Sequence, residues 1–118
     1  KLEIIKCIEQ SSIIKKYDIL AFEVFEGGFY IKIRVLLIDD SELHIREYSD
    51  VDERNYSYHW HDLNRHLLMR WDNAGHYRNI KTYPHHVHYS NDILPSYHIS
   101  CEEILKDIEE KISIEKDR

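Results

Sequence analysis

Three imidazoles fall within four positions at Tyr83-Pro84-His85-His86-Val87-His88. If this stretch is extended, the two-residue period of a strand sets His86 and His88 on one face and His85 on the other. Two adjacent imidazoles can ligate a divalent metal, act as general base and acid, or bind phosphate when protonated. The same residues also suit a hydrogen-bonded polar loop with no chemistry. The metal reading lacks ligands: there is no HExxH and no nearby cysteine, and a third donor such as His76 or Asp72 has to come from the fold. No metal and no other cofactor is therefore expected.

A second constellation is Arg70-Trp71-Asp72-Asn73-Ala74-Gly75-His76. On a strand, Met69 and Trp71 share an apolar face while Arg70 and Asp72 share the other, where they either line a cleft or form an ion pair that fixes the sheet edge. Arg46-Glu47-Tyr48 and Tyr56-Ser57-Tyr58-His59-Trp60 complete the set. If the strands carrying them are neighbours, Arg46, His59 and Arg70 meet on one face. Aromatic residues in such strands are mostly core. Nine tyrosines in 118 residues nonetheless exceed what a core buries with satisfied hydroxyls, so some should be exposed, available to stack on a base or pack against a partner.

Charge is unevenly spread. The chain carries 16 Lys+Arg against 22 Asp+Glu, a formal charge of −6, yet residues 59–88 hold a net +2 before any of their seven histidines is protonated. An acidic chain argues against general coating of nucleic acid but leaves room for a local phosphate site. There is no GxGxxG, P-loop, GxSxG or CxxC, and no basic helix-turn-helix. Cys7 and Cys101 sit near opposite ends of the sequence, with no redox, zinc or secreted-scaffold spacing; a reduced, cytoplasmic setting is expected. No apolar run approaches a membrane span and no signal peptide opens the chain, so no membrane partner is expected.

The elements that must position these residues read as one domain over 1–118. A short amphipathic helix suits 1–10. Alternating runs over 13–26 and 29–38, joined at Gly27-Gly28, form a hairpin, and a third strand carries Leu43, Ile45 and Glu47 after an Asp39-Asp40-Ser41 turn. Strands over 56–61 and 67–71 follow, joined by a reversal in which Asn64 is the residue suited to positive φ. The stretch 72–96, punctuated by Asn, Gly and Pro, reads as ordered loop, where function tends to sit. Ser100 and Glu103 form a capping box for a helix over 101–114, whose Ile104, Leu105, Ile108 and Ile112 make one apolar stripe and whose Glu102 and Lys106, then Asp107 and Lys111, pair across a turn. The expected fold is α+β: an antiparallel meander of about five strands with this helix on one face. Trp71, Ile33, Val35, Leu43, Ile45, Ile104 and Ile108 are the expected core.

Taken in order, Arg46-Glu47-Tyr48, Tyr56-Ser57-Tyr58-His59-Trp60 with His61 and Asp62, the Arg70–Ala74 run with His76, and Pro84-His85-His86-Val87-His88 resemble the TumE family of small prokaryotic proteins, the toxin halves of toxin-antitoxin pairs. The resemblance spans about 13–96. Gly75, Tyr77, Tyr83, Asp40 and Asn64-Arg65 depart from the family pattern, while Arg46, His59, Arg70, Asp72, Asn73, His76, His85, His86 and His88 match it. It implies a helix-turn-helix antitoxin as partner. The chemistry that fits is metal-independent RNA cleavage, which needs a base, an acid and a cation at the phosphate. His86, His88 and His76 are the expected catalytic residues; Arg46 and Arg70 would hold the phosphate, Tyr58 or Trp60 would stack a base, and His59, Asp72, Asn73 and His85 would line the substrate. Two other readings stay open: a non-catalytic protein-binding module with a structural His-rich loop, and a metal-dependent hydrolase using His85, His86 or His88 with Asp72. A homodimer is compatible with each.

Overall fold

Short turns join nearly every strand to the next, and the sheet follows their order. A computed structural model describes residues 2–75, 79–97 and 100–116. The elements are α1 (Glu3–Gln10), β1 (Ile14–Phe25), β2 (Gly28–Leu37), β3 (Glu42–Ser49), β4 (Arg54–His61), β5 (Leu67–Asp72), β6 (His86–Tyr89), β7 (Asp92–Pro95) and α2 (Cys101–Lys116). All seven strands form one antiparallel sheet in the order β1 to β7. No helix among the described residues is long and apolar enough to cross a membrane.

Local chemistry sets each reversal. Gly27 takes φ 84°, and a side chain on Gly28 would stand 2.0 Å from the Ser49 carbonyl, so the β1–β2 hairpin needs glycine at both positions. Asp50 Oδ1 accepts from the backbone of Asp52 and Glu53, and Asp62 Oδ1 from that of Asn64 and His66. At the second of these turns the left-handed residue is Arg65 (φ 67°), not Asn64. The Asp62 bonds fix the turn's geometry and shift the strained position one residue along.

The sheet has two strands more than the five expected. β6 and β7 lie inside the stretch read as loop, where Ser90 and Asn91, both at positive φ, make a two-residue hairpin. Each strand has only four residues, and their histidines, tyrosine and proline carry no apolar alternation. Pro95 is tolerated because β7 is an edge strand.

The helices cover one face. Ile4, Ile5 and Ile8 of α1 and Ile104, Leu105, Ile108 and Ile112 of α2 are buried in a core that also holds Ile31, Ile33, Val35, Leu37, Leu43, Ile45, Tyr58, Trp60, Met69, Trp71 and Val87. Every expected core residue is there. The capping box forms, with the Glu103 N–H donating to Ser100 Oγ at 3.2 Å, and Lys111 meets Asp107 at 2.6 Å. Cys7 and Cys101, remote in sequence, are brought together, and the interaction of their thiols lowers the Cys7 pKa and raises that of Cys101.

Candidate functional site

The opposite face of the sheet carries the chemistry. Register places Asp18, Arg34, His44, His59, Arg70 and His88 in one line across β1 to β6, each opposite the next. A second line runs through Lys32, Arg46, Ser57, Asp72 and His86. Arg46, His59 and Arg70 thus share the face on which sequence reasoning sought them. Tyr30 and Tyr48, opposite each other in β2 and β3, flank Arg46 in a shallow pocket of about 180 Å³.

Arg70, Asp72, His86 and His88 form the centre of this face. Arg70 Nε donates to Asp72 Oδ2 at 3.0 Å, and its terminal nitrogen donates to His88 Nε2 at 2.8 Å. A guanidinium has no acceptor, so His88 Nε2 must be the unprotonated nitrogen of a neutral ring. Burial and then Arg70 lower the His88 pKa, in agreement. Asp72 Oδ1 also accepts from the Ala74 backbone at 3.0 Å and lies 2.8 Å from His86 Nε2. That last contact is close but lacks hydrogen-bond alignment. His86 Nδ1 donates to the Pro84 carbonyl, and the ring is 1% exposed. His86 and His88 pack edge to face at 5.0 Å. Of Arg70's five N–H donors, the described residues take two and leave three for a ligand, and its side chain is 37% exposed.

Other expected site residues serve elsewhere. Tyr58 and Trp60 are buried on the helix-covered face, Trp60 donating to Ser41 Oγ, so neither can stack a base next to Arg46 or Arg70. Asn73 is a bracket: its Oδ1 accepts from Tyr56 N and its Nδ2 donates to Arg54 O, tying the exit of β5 to β4. His85 stacks on Tyr56 and shares a 2.8 Å hydrogen bond with its hydroxyl, turned away from His86 and His88. Burial pushes the Tyr56 hydroxyl up to about 12. Glu47 turns inward and takes two hydrogen bonds from Arg54. His76 lies outside the described residues.

His59 stands between His44 and Arg70, and burial, His61 and Arg70 lower its pKa. Tyr48 was singled out beside Arg46, whereas its half-buried partner Tyr30 was missed, although it alternates in phase with Lys32. Among the described residues, two groups have the donor types and spacing to hold a cation: Asp72 with His86 and His88, and Glu42 with His44 and His61. In the first, Arg70 already supplies a cation to Asp72 and His88.

The family model described as Toxin TumE matches residues 4–112, which takes in most of α1 and of α2 as well as the whole sheet. No curated protein and no solved structure matches the chain.

Proposed function

The chain belongs to the TumE toxin family, and on that premise we propose that it acts on RNA, binding a phosphodiester at Arg70 and cleaving it by histidine acid–base chemistry without a metal. The carrying observation is the line His59, Arg70, His88 on adjacent strands, which sets one imidazole on each side of a guanidinium with spare donors. Neighbouring strands lie about 4.8 Å apart, so the two histidine backbones are about 10 Å apart, enough to flank a phosphate. Cleavage by 2′-OH attack needs a base and an acid on opposite sides of phosphorus, with a cation holding the equatorial oxygens. His59, its pKa lowered, is neutral near pH 7 and can accept a proton; His88, neutral as well, can do so once Arg70 turns the donor it gives His88 Nε2 to the bound phosphate. A bound phosphate anion favours protonation of one of them. His86, sealed from solvent, orients Asp72 and through it Arg70; it does not itself meet the substrate. Arg46, with Tyr30 and Tyr48 beside it, is suited to a second phosphate and a stacked base.

The test is cleavage of single-stranded RNA by the purified chain in the presence of chelator. Arg70→Ala should lose binding and rate together, whereas His59→Ala and His88→Ala should lose rate in chains that remain folded. If the double variant His59→Ala with His88→Ala cleaves as fast as the parent, catalysis by this face is refuted.

A second function is favoured by the edge strand β1, where Ile19, Phe22 and Val24 are 46%, 49% and 71% exposed. A toxin family implies an antitoxin, and this apolar edge is where we place it, with a helix-turn-helix protein as the candidate. Phe22→Lys with Val24→Lys should abolish antitoxin binding and spare RNA cleavage. If β1 instead pairs with a second copy, the same variant converts a dimer to a monomer in sedimentation.

A further inference from the structure

On β3 and β4, in the middle of the sheet, the open face carries an arrangement that the Arg70 cluster does not use. Glu42 opens β3 directly opposite His61 of β4, and His44, two residues further on, stands opposite His59. The strand period puts all of them on the open face. His44 Nε2 lies 3.0 Å and His61 Nε2 4.0 Å from the same carboxylate oxygen, Glu42 Oε1. The rings of His44 and His61 are 4.9 Å apart. The β4–β5 register shifts between Trp60 and His61, an irregularity of the kind that re-aims a side chain.

We propose that Glu42 Oε1, His44 Nε2 and His61 Nε2 bind a divalent transition-metal ion, zinc the best suited, with its fourth position open to solvent. A tetrahedral zinc with bonds of about 2.0 to 2.1 Å holds its donor atoms about 3.4 Å apart. The observed 3.0 and 4.0 Å bracket that spacing, so side-chain shifts of under about 1 Å complete the set. Two imidazoles and one carboxylate are a borderline donor set that excludes magnesium and calcium, which prefer all-oxygen shells. On binding, His44 Nε2 gives the proton it shares with Glu42 to solvent and Nδ1 takes one up, so the ring stays neutral with its Nε2 lone pair on the ion. The contrast with Asp72, His86 and His88 is direct. There Arg70 occupies the lone pairs a metal would need; at Glu42 the described residues place no lysine or arginine within hydrogen-bond reach of the three donors.

The test needs no RNA, so its outcome is separate from that of the cleavage reading. Cobalt(II), titrated into the metal-free full chain, should reach one equivalent with the intense visible absorption of four-coordinate cobalt, and zinc should bleach it. That band should be lost in His44→Gln, His61→Gln and Glu42→Gln and retained in His88→Gln, with circular dichroism confirming that each variant is folded. Should one histidine variant fail to fold, Glu42→Gln carries the same test. A weak six-coordinate spectrum, a band that survives His44→Gln and His61→Gln, or one lost in His88→Gln would overturn the site.

Discussion

Asp72→Ala removes the group that holds the Arg70 cluster together, and its cost can be built from the contacts. The carboxylate is 6% exposed. It accepts from the Ala74 backbone at 3.0 Å, a bond whose loss costs about 1 kcal/mol. It faces the buried His86 at 2.8 Å, but without hydrogen-bond alignment, so that contact adds no hydrogen-bond energy. Its bond to Arg70 is discounted, because that side chain is 37% exposed and water takes up much of its charge; about 0.5 kcal/mol is a fair share. The expected loss is about 1.5 kcal/mol. With a urea slope of about 1.5 to 2 kcal/mol per molar, the unfolding midpoint should fall by about 1 M. The double cycle sharpens the test: Arg70→Met should cost more in the parent, where it strands a buried carboxylate, than in Asp72→Ala, with a coupling of about 1 kcal/mol. A single-variant loss under about 1 kcal/mol, or additivity in the cycle, would show that Asp72 does not organise the cluster.

Four further outcomes follow from the same geometry. His59, His61, His85 and His88 all have folded pKa values below 6.5, so the unfolded chain binds more protons in the window just beneath that value. Stability should hold above about pH 6.5 and decline as pH falls through the lowered folded values, as read by urea midpoints at several pH values; a flat response would contradict the burial of these rings. For the same reason the pH optimum of RNA cleavage in kcat/KM should lie on the acid side of about 6.5, which a pH–rate profile on oligonucleotide checks. Asn73→Ala should cost about 2 kcal/mol in denaturant titration, because it strands Tyr56 N and Arg54 O together. Ile108→Ala, at a position 0% exposed, should cost about 2 to 5 kcal/mol in that assay, against about 0.5 kcal/mol or less for Val24→Ala on the exposed edge.

Much of this architecture was legible because its signals are local. Alternation in 29–38 and 43–47, the Gly27-Gly28 turn and the Ser100 capping box each act within a few residues and dictate the elements that form. The phase of Met69 and Trp71 against Arg70 and Asp72 likewise told inward from outward. β6 and β7 were not legible: their strand character comes from pairing with β5 and from a Ser90-Asn91 turn, not from any apolar period. The site was legible in composition and only partly in arrangement. His86 was expected to be a catalytic group, but it is buried between β5 and β7, against Asp72, His88 and Pro95, a placement that depends on strand pairing and that no spacing rule reports. Tyr58 and Trp60 failed as stacking residues because strand phase, readable in advance, puts them with Ile45 and Trp71. His59 and the Glu42–His44–His61 group depend on register between β3 and β4, which the polar bend at 50–53 fixes through Asp50.

Because each strand pairs only with its neighbours in the chain, the protein can assemble in the order in which it is synthesised. Loop closures are short, and contacts formed early do not await distant residues. β1 to β5 can pair while the ribosome still holds the rest. The Arg70 centre, by contrast, straddles the longest connection in the sheet, with Arg70 and Asp72 on one side and His86 and His88 on the other. It closes only after residue 88 has emerged, and the core is sealed later still by α2. The apolar edge of β1 is therefore presented first and the charged centre last. A nascent chain of this design exposes its partner-binding strand for many seconds of translation before the residues proposed to attack RNA are in place.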